Sequence, residues 1–283
     1  MPESEGSRIS SQSDWRRSQP GLCQPQAADT RLIFFSDLDN TLIHSYKTAR
    51  SGDICVETRD GKDLSFMSPS SYDLLREMAR FVEFVPVTTR SVEQYRRLAM
   101  LGSGAPRFAL ACNGAILLED GEIDEEWTDE SRASYRESIL RLPECKERID
   151  GRPDFFYDAR LADGFFIFAK LAASSSFKEI LEGIVDRELF DLHFAYEKVY
   201  IMPRGLTKGS AVSRFLRTHT EYRRSVSAGD GELDLSMLQA ADKALVPRGY
   251  PYHGANFERA EDDDFCEFVL TRVRDLVLHT TSL

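Results

Sequence analysis

Short apolar runs that stop abruptly at polar residues recur along this chain. The first is Leu32-Ile33-Phe34-Phe35, closed by Ser36-Asp37-Leu38-Asp39. It shows no polar alternation, so it predicts a strand buried on both faces, as in the middle of a parallel sheet. The polar stretch after it, with Gly52 and Gly61, predicts a loop. Ser68-Pro69 then opens a helix with Leu74, Leu75, Met78 and Ala79 on one side. The run over 81–87 predicts a second strand, ending at Thr88-Thr89-Arg90. Val92, Tyr95, Leu98 and Ala99 follow at helical spacing. Residues 107–111 predict a third, shorter strand that ends in Cys112-Asn113-Gly114. This alternation predicts an α/β class fold, a Rossmann-like parallel sheet core flanked by helices.

The pattern then changes. Residues 116–123 read as a hairpin around Asp120-Gly121. Residues 129–142 predict a helix stopped near Pro143. Aromatic residues over 165–171 favour a strand, and Phe177, Ile180, Leu181, Ile184 and Val185 fall at helical spacing. Residues 193–202 predict one or two strands. This mixture predicts a small inserted α+β domain. The parallel pattern resumes with Arg204-Gly205-Leu206-Thr207-Lys208-Gly209 leading into a helix with Ala211, Val212, Phe215 and Leu216. A brief strand over 225–228 ends in Gly229-Asp230-Gly231-Glu232-Leu233-Asp234, with a helix from Leu235. A closing helix over 262–278 turns Phe265, Phe268, Val269, Val273 and Leu276 inward. The expected organisation is a disordered tail over 1–29, a core over 30–113 and 200–283, and an inserted cap over 114–199. The tail is rich in Ser, Gln, Pro and Arg and nearly empty of large apolar residues.

Composition narrows the partners. A net charge of -11 over 283 residues argues against nucleic acid or an anionic membrane as the main partner. No apolar run is long enough to span a bilayer. The five cysteines are scattered and none forms a Cys-x-x-Cys pair, which fits a reducing cytoplasm and neither a disulfide framework nor a zinc site. His193, His219 and Cys112 read as ordinary packing or surface residues.

The candidate chemistry sits where apolar runs end. Asp37 and Asp39 are two apart, so in extended chain both side chains point the same way. Ligands of open α/β sheets lie beyond such strand ends. Two like charges there call for a cation, and Mg²⁺ prefers oxygen ligands. With it present, one carboxylate can attack an electrophile while its neighbour handles protons. Thr88 and Lys208, with Asp230 and Asp234, add a hydroxyl donor, a fixed cation and more acids, the set that phosphoryl transfer requires.

In this order, the four signatures Phe-Ser-Asp37-Leu-Asp39-Asn-Thr41, Val87-Thr88, Lys208 and Gly229-Asp230-Gly-Glu-Leu-Asp234 resemble those of the haloacid dehalogenase (HAD) superfamily phosphatases. The insert between the second and third, Asn113-Gly114 before it, and the 204–209 stretch after it are similar to the Cof-like branch. That branch includes sucrose-phosphate phosphatase and mannosyl-3-phosphoglycerate phosphatase. The resemblance covers nearly everything after the tail. It implies Asp37 as nucleophile, Asp39 as acid and base with its backbone carbonyl on Mg²⁺, Thr88 and Lys208 on the phosphoryl group, and Asp230 as the direct Mg²⁺ ligand with Asp234 close behind. It also implies Thr89, Arg90 and Asn113 as substrate-binding residues beside these catalytic ones. Two positions depart from the pattern: Leu233 stands where Asn is usual, and Thr89 where Gly is usual. The implied function is a Mg²⁺-dependent phosphohydrolase acting through an aspartyl phosphate on a small phosphorylated metabolite, a phosphosugar or phosphoglycerate-type ester. A phosphomutase or phosphotransferase, or a non-catalytic phosphometabolite sensor, is the alternative. The expected state is a monomer or small homo-oligomer.

Overall fold

The computed structural model describes residues 31–100, 105–153, 155, 159–171, 181–195, 197–261 and 264–280. The expected tail over 1–29 lies outside the described residues, as do Phe156, Tyr157, Phe177 and Ile180.

In chain order the strands are β1 (Arg31–Ser36), β2 (His44–Ser45), β3 (Ile54–Arg59), β4 (Lys62–Met67), β5 (Glu83–Pro86), β6 (Phe108–Ala111), β7 (Ile116–Glu119), β8 (Glu122–Ile123), β9 (Arg160–Ala162), β10 (Phe166–Lys170), β11 (Phe190–Ala195), β12 (Lys198–Pro203), β13 (Tyr222–Ala228), β14 (Lys243–Val246) and β15 (Phe257–Arg259). The helices are α1 (Pro69–Met78), α2 (Val92–Arg96), α3 (Glu125–Ser134), α4 (Arg136–Ile149), α5 (Lys208–Thr218), α6 (Leu235–Ala240) and α7 (Phe265–Thr280).

The main sheet is parallel throughout, in the order β15-β14-β13-β1-β5. β1 lies inside it, with Phe34 opposite Phe84 of β5 and Val226 of β13. Ile33, Phe34 and Phe35 are fully buried, so alternate residues reach opposite layers. Phe34 stacks on Phe84 in the layer shared with α1 and α7. Phe35 meets Phe215 of α5 edge to face in the other layer. Burial of such a ring stabilises by roughly 1.5–3 kcal/mol. The β1 strand therefore holds the end of its own chain, at Asp37, in a fixed place.

β9 to β12 form a separate antiparallel sheet, in the order β11-β12-β10-β9. Its two faces have different partners. Ile167, Ala169, Val199 and Ile201 pack against Leu142, Cys145 and Ile149 of α4. Phe166, Tyr200 and Met202 join the core cluster of the main sheet instead. This second sheet thus lies over the region where the strands of the first one end.

Several features differ from the sequence expectation, β6 among them, which pairs antiparallel with β7 in a sheet of its own. The stretch with Gly52 and Gly61 is no loop but an antiparallel sheet, β2-β4-β3. Register shifts between Cys55, Glu57 and Thr58 break its alternation, which hid it. Helix α4 continues through Pro143 to Ile149. Leu142, Cys145 and Ile149 bury an apolar stripe there, enough to offset the roughly 3 kcal/mol that an interior proline costs. The expected domain limit at 199/200 falls within β12. No helix among the described residues is long and apolar enough to cross a membrane.

Candidate active site

The loop after β1 is built to present a carboxylate. The Asp37 N–H donates to the carbonyl of Ala228 at 2.9 Å, which ties it to the end of β13. Beyond it the chain turns sharply. Leu38 O accepts from the N–H groups of Leu42 and Ile43, both at 2.9 Å, and Asn40 takes a φ of 65°. Asn tolerates that left-handed conformation better than most residues. The loop after β13 turns as tightly. A Cβ at Gly229 would stand 2.4 Å from that of Asp234, so only glycine lets the two segments meet.

Lys208 opens α5, where a cation opposes the helix dipole. Its position is explained by what it reaches. Its side chain is 2% exposed, and Nζ donates to Asp37 Oδ1 and Asp234 Oδ1, both at 2.5 Å. The other oxygen of Asp234 accepts from the N–H groups of Asp230 and Gly231, at 3.1 and 2.9 Å. Asp234 is thus a strut that holds both the lysine and the loop after β13. Asp230 Oδ1 accepts from the Thr41 hydroxyl at 3.2 Å.

Carboxylate oxygens of Asp37, Asp230 and Asp234 lie within 4.8 Å of one another. Three acids with one ammonium leave an excess of two negative charges. The protons respond accordingly. Burial, then the neighbouring Asp234, push the Asp37 carboxyl well above its ordinary range. Burial and Asp234 push Asp230 up to about 6. The same partners hold Lys208 above its ordinary range, against its burial. A cluster of hard oxygen donors with unrelieved negative charge suits Mg²⁺, and Asp37 with Asp230 would hold it.

Asp39 stands outside that cluster. Burial by the surrounding protein would raise its pKa, but the hydrogen bonds and charge of Arg90 outweigh this and lower it. Both oxygens of Asp39 accept from Arg90, Oδ2 from Nε at 2.8 Å and Oδ1 from Nη2 at 2.7 Å. The Arg90 fork therefore lies on Asp39 and, through Nη1, on Glu57, where a substrate contact was expected. Thr88 is buried at the end of β5, and its Oγ1 accepts from the Arg90 N–H at 3.1 Å, leaving its hydroxyl proton free to donate. The Tyr200 phenol stands near Thr89; burial pushes it up to about 12, and it also feels the charges of Asp39, Asp37 and Lys208. Asn113 is buried beside Thr88, with its N–H on the Thr88 carbonyl. Its amide donates to Leu206 O at 2.9 Å, so it joins two loops under the site where a substrate contact was expected.

Sequence reasoning missed Glu57, Thr41 and Tyr200. Thr41 was within the first signature without a role. Glu57 and Tyr200 lie on strands that carry no signature, and only the fold brings them in.

No family model matches the chain, and no curated protein matches it in sequence. Solved structures do match in fold. Sucrose-phosphatase from Synechocystis sp. PCC6803, solved with sucrose and phosphate, aligns with a TM-score of 0.58 at 15% identity, over 87% of this chain and 98% of that one. A trehalose-6-phosphate phosphatase related protein aligns at 0.56 and 17%, over 88% and 99%. A phosphatase of the HAD enzyme superfamily from Bacteroides thetaiotaomicron aligns at 0.53 and 16%, over 90% and 99%. At these identities the likeness shows the fold.

Proposed function

We propose that this chain, whose fold is that of the HAD-superfamily phosphatases, is a Mg²⁺-dependent phosphohydrolase of small phosphorylated metabolites. The observation that carries this reading is the buried Lys208 ammonium, 2.5 Å from both Asp37 and Asp234, with Asp230 in the same cluster. A buried ion network of this kind adds little stability over apolar packing. Its value is electrostatic: fixed charges aimed at a phosphoryl group.

Asp37 Oδ2, free of the lysine, attacks phosphorus while the bond to the leaving alcohol breaks. Lys208 holds the other Asp37 oxygen, so the nucleophile cannot rotate away. Thr88 donates its hydroxyl to a phosphoryl oxygen. Asp39, once it has taken up a proton against the hold of Arg90, gives it to the departing alkoxide, then takes one back from the water that cleaves the aspartyl phosphate. Mg²⁺, when bound, offsets the phosphoryl charge that the three acids would otherwise repel.

The substrate class follows from the second sheet. The catalytic loops handle only the phosphoryl group. Tyr200 of β12, near enough to feel the charges of Asp39, Asp37 and Lys208, supports assigning discrimination to the cap over 114–199 and its last strand. Two of the matched structures are named for phosphatases of disaccharide phosphates, and we propose a phosphosugar or phosphoglycerate-type ester here. Cys55, Cys112, Cys145 and Cys266 are free thiols, which supports a reducing cytoplasm.

Phosphate release from p-nitrophenyl phosphate and from a panel of sugar phosphates and phosphoglycerates tests the reading. We expect release that needs Mg²⁺, stops with a chelator and favours one class of ester. Release that ignores the chelator, or none on any ester, overturns it.

A further inference from the structure

The cap meets the core at the tip of its β9–β10 hairpin. That tip is Asp163-Gly164, with φ of 42° and 84°, and the Phe165 N–H closes it on the Ala162 carbonyl at 2.8 Å. Left-handed φ at both central residues makes the two-residue turn that suits twisted strands. Ala162 and Phe165 on either side are buried in the core cluster of the main sheet. Asp163 Oδ2 then accepts from two core donors, the Val92 N–H at 2.7 Å and the Cys112 thiol at 3.1 Å. Both need a partner. The Val92 N–H stands at the first position of α2, where no carbonyl of that helix reaches it. Cys112 is fully buried, and burial, then Asp163, push its thiol well above the ordinary range, so it stays a donor.

These two donors bracket the loop that carries Thr88 and Arg90. The Cys112 N–H donates to the Arg90 carbonyl at 2.9 Å and the Asn113 N–H to that of Thr88 at 2.8 Å, so the core holds this loop from within. Asp163 holds it from the cap side. A second contact lies across the site, where His193 Nδ1 of β11 stands 3.7 Å from Glu232 Oε1 in the loop after β13. In the main sheet β1 lies between β5 and β13, so the cap sheet spans the end of β1 from one loop to the other. Pairing within the cap sheet puts Phe168, Tyr200 and His193 directly opposite one another. Phe168 and Tyr200 stack at 6.4 Å and both pack into the main-sheet cluster, so this row faces the core.

We propose that Asp163 is a positioning residue, whose carboxylate clasps the cap to the Thr88–Val92 loop and fixes where the Phe168–Tyr200 row stands over the phosphoryl site. Its effect on esters rests on the phosphatase reading above; the clasp does not. A sugar leaving group large enough to meet the row loses binding when the cap is no longer fixed. Acetyl phosphate offers the row almost no leaving group, and its phosphoryl group meets Asp37, Thr88 and Lys208, which the core holds by itself.

The experiment uses three variants of the full chain. Asp163→Gly removes the carboxylate and keeps the turn, because glycine takes a φ of 42° without strain. Asp163→Asn keeps an oxygen in place and suits the same turn. Tyr135→Phe removes a different cap contact, the Tyr135 hydroxyl on the Gly205 carbonyl at 3.0 Å. The readouts are hydrogen exchange at the Val92 amide, followed by NMR, and kcat and KM for acetyl phosphate and for the sugar phosphate that the wild type turns over fastest. We expect Asp163→Gly to speed Val92 exchange and to raise the sugar-phosphate KM, each by about tenfold, the order of one hydrogen bond. The sugar-phosphate kcat and both acetyl phosphate constants should stay within about threefold, as when binding alone is lost. Asp163→Asn should stay within about threefold of wild type in every readout, and so should Tyr135→Phe. Unchanged Val92 exchange in Asp163→Gly, an equal loss on both substrates, or the same loss in Asp163→Asn or Tyr135→Phe overturns the inference. No wild-type turnover of either substrate overturns the phosphatase reading alone, and Val92 exchange then decides the clasp.

Discussion

Replacing Lys208 with Met keeps the length of the buried stem and removes only the charge. The structure gives the size of the effect. Two charge-assisted hydrogen bonds are lost, to Asp37 and Asp234. Each is worth roughly 1.5–3 kcal/mol. Breaking a buried ion pair from one side costs about 3–5 kcal/mol in total. The loss should also depend on pH. Lys208 has its pKa raised, so its contribution is complete below the ordinary lysine range and fades only as pH rises through the folded value. Between about pH 5.5 and pH 7.5 it is constant. The acids carry the pH dependence. Asp37 and Asp230 already have raised pKa values, and without the ammonium they rise further. A raised acid binds more protons folded than unfolded, so stability falls as pH rises towards the folded pKa. The variant should therefore lose about 3–5 kcal/mol near pH 7.5 and at least about 1 kcal/mol less near pH 5.5, one pKa unit being worth that much. Urea unfolding of the metal-free proteins at both pH values measures it. A loss below about 1 kcal/mol, the size of an exposed pair, or the same loss at both pH values, would refute the buried-cluster electrostatics.

Mg²⁺ should raise the melting temperature more near pH 7.5 than near pH 5, because Asp230 titrates at about 6 and must be ionised to bind; an equal shift at both would place the metal elsewhere. Gly209→Ala should destabilise by about 2 kcal/mol or more, reversing the usual gain of about 1 kcal/mol in a helix, because its Cβ would lie 2.2 Å from the Ser236 carbonyl oxygen. Unfolding by urea reads the sign directly, and a stabilised variant would show that α5 and α6 do not pack this closely. Asp230→Ala should raise the Mg²⁺ concentration needed for phosphate release or abolish release, and an unchanged requirement would remove it from the metal site.

The sequence made β1 legible because both its faces are buried, which leaves an unbroken apolar run. Helix α1 was legible from its cap, since Ser68 does accept from the Ser71 N–H, and β7–β8 from Asp120-Gly121, where both residues take positive φ. The ends of β1, β5 and β13 and the start of α5 carry Asp37, Thr88, Asp230 and Lys208, so most of the cluster was readable as polar stops after apolar runs. The β2–β4 sheet was not readable. Its buried residue at 57 is a glutamate, whose charged partners are Arg90 and Arg97, more than thirty positions away. No local pattern marks a charge that is buried only because another strand end covers it. The partners of Arg90 were hidden for the same reason: nothing near Thr88 in the sequence shows that Glu57 and Asp39 lie on either side of its guanidinium. Strands β14 (Lys-Ala-Leu-Val) and β15 (Phe-Glu-Arg) were missed because neither carries an unbroken apolar run of four nor leads into a signature.

Transfer of the phosphoryl group to Asp37 leaves a covalent adduct that can be trapped. Acid quench of the wild-type protein during turnover of p-nitrophenyl phosphate with Mg²⁺, followed by peptide mass spectrometry, detects it. A phosphorylated peptide with the group on Asp37 is expected during turnover, with neither adduct nor phosphate release in Asp37→Asn. Turnover with an unmodified Asp37 peptide, and undiminished in Asp37→Asn, would contradict it.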